Sequence, residues 1–353
     1  MADLKMLEAF CQADGVSGFE KEATRVMKSY LEGNCDEIFY DNIGSIIAHK
    51  KGKGPKVLFT GHIDEIGFVV KEILEDGYLR VHPLGGWSTH NMLAHQVTIT
   101  TRTGKKVIGI IGTGKKPGHD RNQVVPMSDV YVDLGVANKQ EVIDLGVRIG
   151  DPITPKSDFI VMNNPKYVNA KAWDDRVGAA IVTDVMKNVK DLELACDLYC
   201  AGTVQEEVGC RGAKTVGQMI MPDLSIAIDV GGENDTPNDK KGTAILGSGA
   251  AICLQDSSVL AHTGLAMYLE ELCEKNNIKY TTYVLGYGGT DSGEMSKVGA
   301  GSVNLTISIP SRHIHSHNSM IHLDDYDAIV ALLTQFVKTF NGDILESLKE
   351  AKR

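Results

Sequence analysis

The chain of 353 residues contains no run of basic residues, and its formal net charge is −10. Phosphate recognition wants a basic surface, so this balance argues against a nucleic-acid partner. No apolar stretch is long enough to cross a bilayer as a helix, which argues against a membrane protein. The opening MADLKMLEAFCQADG scatters charges among its apolar residues. It reads as an amphipathic helix and not as a secretion signal. No CxxC pair occurs, and the cysteines, at 11, 35, 196, 200, 210, 253 and 273, are odd in number. The chain is also too large to need disulfide staples, and reduced thiols in a cytoplasmic protein are expected. Internal repeats and low-complexity tracts are also missing.

What is present suits a large core. Hydrophobic residues make up 42% and charged residues 23% of the chain, ordinary values for a globular protein. The length suggests about two domains on a prior of roughly 150 residues each. In GVSGFEKEA, Ser17 and Glu20 have the spacing of a capping box for the helix that follows. Strands are expected at 46–49 and, more strongly, at 56–61 (KVLFTG), with a turn at 52–55 before the second. Residues 70–158 differ in texture. Short β-like pieces, VTITT (97–101) and KVIGIIG (106–112), are broken by Gly and Pro, with one short helical stretch at 139–145. That texture predicts a small β-barrel or sandwich. From Asp174 onward helix and strand signals alternate again. The last part is helical: Ile329, Leu332, Leu333, Phe336, Val337 and Phe340 recur at helical spacing, and Asp324 and Asp325 fall in the first turn. The expected fold is an α/β domain (1–69 and 159–353) interrupted by a β-rich insert (70–158).

Four apolar runs of the α/β part end on polar residues. KVLFTG leads into His62-Ile63-Asp64, and 197–204 (DLYCAGTV) into Gln205-Glu206-Glu207. LSIAI (224–228) leads into Asp229, and SVNLTISI (302–309) into a stretch holding His313, His315 and His317. Ligands of open α/β sheets bind beyond the carboxyl ends of the strands. Asp174 and Asp175 add two acids before a helical pattern carried by Val177, Ile181 and Val185. Each feature has a bland explanation taken singly: a helix cap for the Asp pair, a satisfied core imidazole for His62, a solvated corner for the Glu pair. The bland explanations must all hold at once, and that joint account is the weaker one.

Imidazoles and carboxylates without a cysteine at these positions suit Zn²⁺, Co²⁺ or Mn²⁺. A pair of metals about 3.5–4 Å apart shares a bridging carboxylate, and the acids at hand suffice for that plus one base. Glu207 is then expected to ligate while Glu206 stays free to take a proton from the attacking water. Asp64 is placed to hold the second nitrogen of His62. Which of the three alternating histidines is the ligand stays open on spacing alone, since in a strand all three would share one face.

These stretches resemble the co-catalytic-metal aminopeptidases of the TET, glutamyl-aminopeptidase and deblocking-aminopeptidase family, some of whose members were labelled endoglucanases. The resemblance rests on TGHIDEIGF (60–68), KAWDDRVGAA (171–180), TVQEEVGCRGA (203–213), AIDVG (227–231), GYGGTDSGE (286–294) and SIPSRHIHS (308–316), with LGVRIGDPIT (145–154) in the insert. It runs nearly the whole length. It implies a zinc-peptidase-like mixed sheet flanked by helices, with a small β-barrel insert used in assembly. It implies two divalent metals per subunit, His62 and Asp229 on one, Glu207 and His315 on the other, and Asp174 between them. Glu206 would be the general base, Asp64 would orient His62, and Asp175 would support the bridging loop. Peptide substrates and dimers closing into a tetrahedral dodecamer follow from the same resemblance. After His315 the chain reads HNSM, where many members carry a Pro-Val-Glu segment. GYGGTDSG lacks the ending of a phosphate loop; by resemblance it lines the substrate pocket, with Thr290 and Asp291 as candidates. Competing expectations are a metal-dependent deacylase or carboxypeptidase, a non-catalytic metal-binding scaffold, and a glycoside hydrolase. Adjacent Glu206 and Glu207 fit the last poorly, because its carboxylates flank the scissile bond roughly 5–9.5 Å apart.

Overall fold

The computed structural model describes residues 2–114, 124–231, 235–237 and 242–353. An 11-stranded mixed sheet forms the larger part. At its centre lie four parallel strands in the order Asp197–Thr203, Lys56–His62, Leu224–Gly231 and Val303–Arg312. Their apolar runs are buried on both faces, as central parallel strands require. Antiparallel strands extend the sheet on both sides: Ile46–Lys50 and Glu37–Tyr40 on one, Ser319–His322, Tyr167–Ala170 and Ile160–Val161 on the other. The core gathers the sheet and the helices Leu4–Gln12, Trp173–Val189, Thr263–Asn276 and Leu323–Thr339 into one apolar cluster.

Parallel alignment brings the carboxyl ends of these strands to one edge. His62 sits in register with Thr203. Between Lys56–His62 and Leu224–Gly231 the ladder stops at the Thr60–Ala227 pair, short of His62 and Asp229. Two neighbouring strands thus part where two polar side chains emerge, which opens a crevice at the sheet's edge. The long helix Trp173–Val189 crosses behind this point at very close range. A Cβ on Gly61 would lie 2.2 Å from the carbonyl carbon of Gly178, so only glycine lets helix and strand approach this closely.

The insert is a closed barrel of six strands, from Gly67–Ile73 to Pro152–Pro155, with its own apolar core. Its first strand begins upstream of residue 70. The short helix Lys139–Asp144 lies within it, capped by Asn138, whose side chain accepts the N–H of Glu141 at 3.1 Å. No single helix among the described residues is long and apolar enough to cross a membrane.

Two local expectations need correction. Ser17 and Glu20 do not form a capping box: the helix Lys21–Leu31 starts after Glu20 without a side-chain cap. Ser17 turns to a long-range partner, and Glu20 to one near and one distant in sequence. Ser17 Oγ donates to Asp64 Oδ2 at 2.6 Å, and Glu20 Oε1 accepts the N–H of Gly18 at 2.6 Å and of Gln205 at 3.2 Å. The three histidines share no strand face either. The strand ends at Arg312, and His313 and His315 lie beyond it with φ of 60° and 57°.

Candidate active site

Asp174 occupies the middle of the crevice. Its Oδ1 lies 3.0 Å from His62 Nε2 and its Oδ2 lies 3.2 Å from His315 Nε2. One carboxylate therefore faces both imidazoles, one oxygen each. His315 Nε2 is also 3.3 Å from Glu207 Oε2, and Glu206 Oε2 is 3.9 Å from His62 Nε2. The ligand atoms of His62, Asp174 and Glu207 lie within 4.8 Å of one another, as do those of His62, Asp175 and Asp229. All the residues assigned to metal by the motifs converge on one place.

The local chain explains how. The Trp173–Val189 helix carries non-helical dihedrals at Asp174 and Asp175, and the peptide bond between them is cis. The helix-cap expectation holds for Asp175 in part: its Oδ1 accepts the N–H of Gly178 at 3.0 Å. Its Oδ2 accepts the N–H of His62 at 3.0 Å, so the same buried carboxylate ties the helix start to the strand end. Asp64 acts similarly. The Nδ1 of His62 meets the main-chain oxygen of Asp64 at 3.1 Å and its Oδ1 at 3.5 Å. The Asp64 carboxylate itself accepts the N–H of Glu206 at 2.9 Å and of Glu207 at 3.2 Å. The barrel contributes a wall: a Cβ on Gly85 would come within 2.9 Å of Glu207 Oε2, and one on Gly86 within 3.0 Å of His315 Nδ1.

The electrostatics are those of crowded acids out of water. Burial pushes the Glu206 carboxyl well above its ordinary range, and the charges of Asp229, Asp291 and Glu207 push the same way. Burial, with the Asp174 charge, raises Glu207 to about 7. Asp229 and Asp175 are also raised, chiefly by burial. Burial opposes the His62 imidazolium, yet hydrogen bonds to Asp174 and Asp64 hold its pKa well above normal. Burial likewise opposes the His315 imidazolium, and Asp174 and Glu207 bring it up to about 11. Glu207 Oε1 is buried without a hydrogen-bond partner. A buried carboxylate oxygen with no donor, among acids that repel, fits a site built for cations.

Thr290 and Asp291 part company. Thr290 lines the cleft, and its hydroxyl shares a 2.8 Å hydrogen bond with Thr306. Asp291 is buried, with its Oδ2 accepting from Thr203 Oγ1 at 2.5 Å. His317 is fully buried, packed on Trp87 and His95 from the insert, with ring centroids 5.4 and 4.5 Å away. His313 is exposed. Of the three histidines only His315 reaches Asp174.

Sequence reasoning missed the layer beneath. Glu65 Oε1 accepts from Lys171 Nζ at 2.6 Å and lies 3.3 Å from Arg176 Nη2, all three side chains being buried. Arg176 also donates to the carbonyls of Ile63, Phe10 and Ala13 at 2.6, 2.6 and 2.9 Å. These residues flank the motif residues in sequence, but nothing in their spacing signals a shared pocket. Cys210 Sγ lies 3.1 Å from Glu206 Oε1, a contact readable only from the turn after Glu207.

A mixed sheet whose parallel centre gathers carboxylates and imidazoles at its carboxyl edge, beside a barrel insert, is the fold and site of a hydrolase of the peptidase class. The family model of the M42 glutamyl aminopeptidases matches residues 44–332, and the chain belongs to that family. It is an aminopeptidase. It is 33% identical to FrvX of Escherichia coli (strain K12) over 99% of both chains. It is 31% identical to the glutamyl aminopeptidase of Lactococcus lactis subsp. cremoris (strain MG1363), covering 97% of this chain and 98% of the relative. Among solved structures, the TET aminopeptidase of Thaumarchaeota archaeon SCGC AB-539-E09 superposes with a TM-score of 0.94 at 32% identity, over 98% of this chain and 99% of that one. The Pyrococcus horikoshii TET1 peptidase, which can assemble into a tetrahedron or a large octahedral shell, gives 0.85 at 30% identity, over 96% and 99%. Membership favours the aminopeptidase over the deacylase and glycoside-hydrolase alternatives.

Proposed function

We propose that the chain removes the N-terminal residue of peptides at a centre of two divalent cations, Zn²⁺ or Co²⁺ with Mn²⁺ as a third option. The observation that carries this reading is the Asp174 carboxylate facing His62 with one oxygen and His315 with the other. His62 and Asp229 would hold one cation, Glu207 and His315 the other, and Asp174 both. When bound, the pair supplies Lewis-acid polarisation of the scissile carbonyl and lowers the pKa of water to about 7.

The protein's own groups do the rest. Glu206, next to the ligand Glu207 and kept off the cations, takes the proton of the attacking water and passes it to the leaving amine. Asp64 fixes the ring of His62 and the main chain of both glutamates, and Asp175 fixes the loop that presents Asp174. The carboxylate-lined cleft favours a substrate with a free, protonatable N-terminus.

In the same reading, the insert (70–158) is the assembly element of a cytoplasmic homo-oligomer, dimers closing into a tetrahedral dodecamer. The support is the likeness to a TET1 peptidase that forms a tetrahedron. The deciding experiment is hydrolysis of leucine p-nitroanilide and its N-acetylated copy. Activity on the free amine only, abolished by chelation and restored by Zn²⁺ or Co²⁺, is expected. Chelator-resistant hydrolysis, or equal cleavage of the acetylated copy, would overturn the reading.

A further inference from the structure

The cleft at the sheet's edge has a volume of about 490 Å³. Asp174, Glu206, Glu207, Asp229 and His315 furnish its polar part. Much of the remainder is apolar: Val230 after Asp229, Ile314 before His315, and Leu285 and Tyr287 on the glycine-rich loop. Thr290 adds a hydroxyl already engaged with Thr306. Among the described residues no Lys or Arg lines this cleft. Among the described residues, the basic side chains near the lining residues in sequence have other partners: Arg211, next to Cys210, donates to Gln205 Oε1 at 3.2 Å. Arg312, at the end of the strand leading to His315, holds Asp235 through two hydrogen bonds of 2.6 and 2.7 Å. Lys171 and Arg176 are buried against Glu65.

Building on the aminopeptidase reading, we infer that this cleft selects an uncharged aliphatic N-terminal side chain, of the leucine or methionine kind, and rejects an acidic one. An apolar side chain gains by leaving water against Val230, Leu285, Tyr287 and Ile314. A glutamate side chain would meet this apolar wall with no lining Lys or Arg, among the described residues, to receive its charge. It would lose hydration without a cationic partner, and desolvated charge without a partner is strongly disfavoured. A lysine side chain meets the same apolar wall and has no dedicated acid there, since the four carboxylates are committed to the metal site and its base. One relative is a glutamyl aminopeptidase; among the described residues, the walls of this cleft hold no Lys or Arg to receive a glutamate side chain.

The test is kcat/KM of the metal-loaded full-length enzyme on p-nitroanilides of Leu, Met, Ala, Glu and Lys. Leu and Met are expected to lead, with Glu lower by about 100-fold, the scale at which one pocket discriminates. Glu or Lys leading the panel overturns the inference and leaves the aminopeptidase reading intact. Cleavage of none of the free amines overturns both. Leu285→Arg, at a half-buried position on the loop, is expected to raise the Glu-to-Leu ratio about tenfold, as is Tyr287→Lys at a largely exposed one. An unchanged ratio in both folded variants overturns the assignment of this wall to the first substrate side chain.

Discussion

The carboxylate of Asp64 holds the main chain of Glu206, accepting its N–H at 2.9 Å, and reaches the next N–H, of Glu207, at 3.2 Å. A residue expected only to orient His62 thus also sets the turn from which both glutamates project. Asp64→Ala is expected to cost about 10–100-fold in metal affinity or activity, the usual price of losing such a supporting group. Metal content and kcat/KM measured on the same preparation check it. A variant with wild-type values of both would show that the turn holds without this anchor.

Glu206→Gln keeps the side chain's size and removes its basicity. Its main-chain anchor on Asp64 is untouched. Metal content is expected to stay at the wild-type level while kcat falls by about 10²–10⁴-fold. Atomic absorption alongside steady-state kinetics separates this outcome from loss of metal, which would reassign Glu206 as a ligand.

Cys210 is the other side chain on Glu206, its Sγ 3.1 Å from Oε1. That contact leaves Oε2 as the oxygen directed at His62. Cys210→Ala is expected to lower kcat several-fold with KM nearly unchanged, and Cys210→Ser, which retains a donor, to recover most of the loss. Equal kcat in the wild type and both variants would remove Cys210 from the positioning of the base.

Glu65→Gln strips the carboxylate shared by Lys171 and Arg176, leaving buried Arg176 without a carboxylate and Lys171 with only Asp14, 3.8 Å away. Destabilisation of about 3–5 kcal/mol is expected in urea denaturation. The exposed pair Lys51–Glu37 is the control, and Glu37→Gln there is expected to leave the denaturation midpoint nearly unchanged, because solvent screens an exposed pair.

Gly61→Ala puts a methyl 2.2 Å from the carbonyl carbon of Gly178 and 2.3 Å from the nitrogen of Ala179. The helix or the strand must shift, and His62 is the next residue. A loss of stability of at least about 1–3 kcal/mol is expected, with activity falling further than stability alone explains. Denaturation midpoint and kcat/KM on the same sample check this.

Much of the site was legible in the chain because strand ends leave a simple signature. An apolar run that stops on His62, on Glu206-Glu207 or on Asp229 announces a buried strand and a functional edge together. The barrel insert was visible as a change from long periodic segments to short β-pieces broken by Gly and Pro. Helix periodicity located Leu323–Thr339 to within a residue of its end. The histidine-rich stretch was less legible. Alternation suggested a shared strand face, but left-handed backbone at His313 and His315 breaks the alternation and sends only His315 to Asp174. Ser17 and Glu20 misled for a similar reason: local spacing matched a cap, while both side chains found partners more distant in sequence, Asp64 and the main chain of Gln205.

The sequence by itself determined the element types, the order of the motifs and the chemistry of the donors, because those follow from short-range periodicity and residue type. The resemblance already points to Asp174 and His315, and the tertiary structure shows the Asp174 carboxylate facing both imidazoles. Only the tertiary structure decided that Glu65, Lys171 and Arg176 brace the loops from behind. It also decided the cleft's apolar wall. These depend on contacts between segments more than a hundred residues apart, as in the bonds of Asp64 to Glu206 and of Glu65 to Lys171. Such contacts arise only when parallel strands align their ends, and no local pattern encodes which distant residue will arrive there.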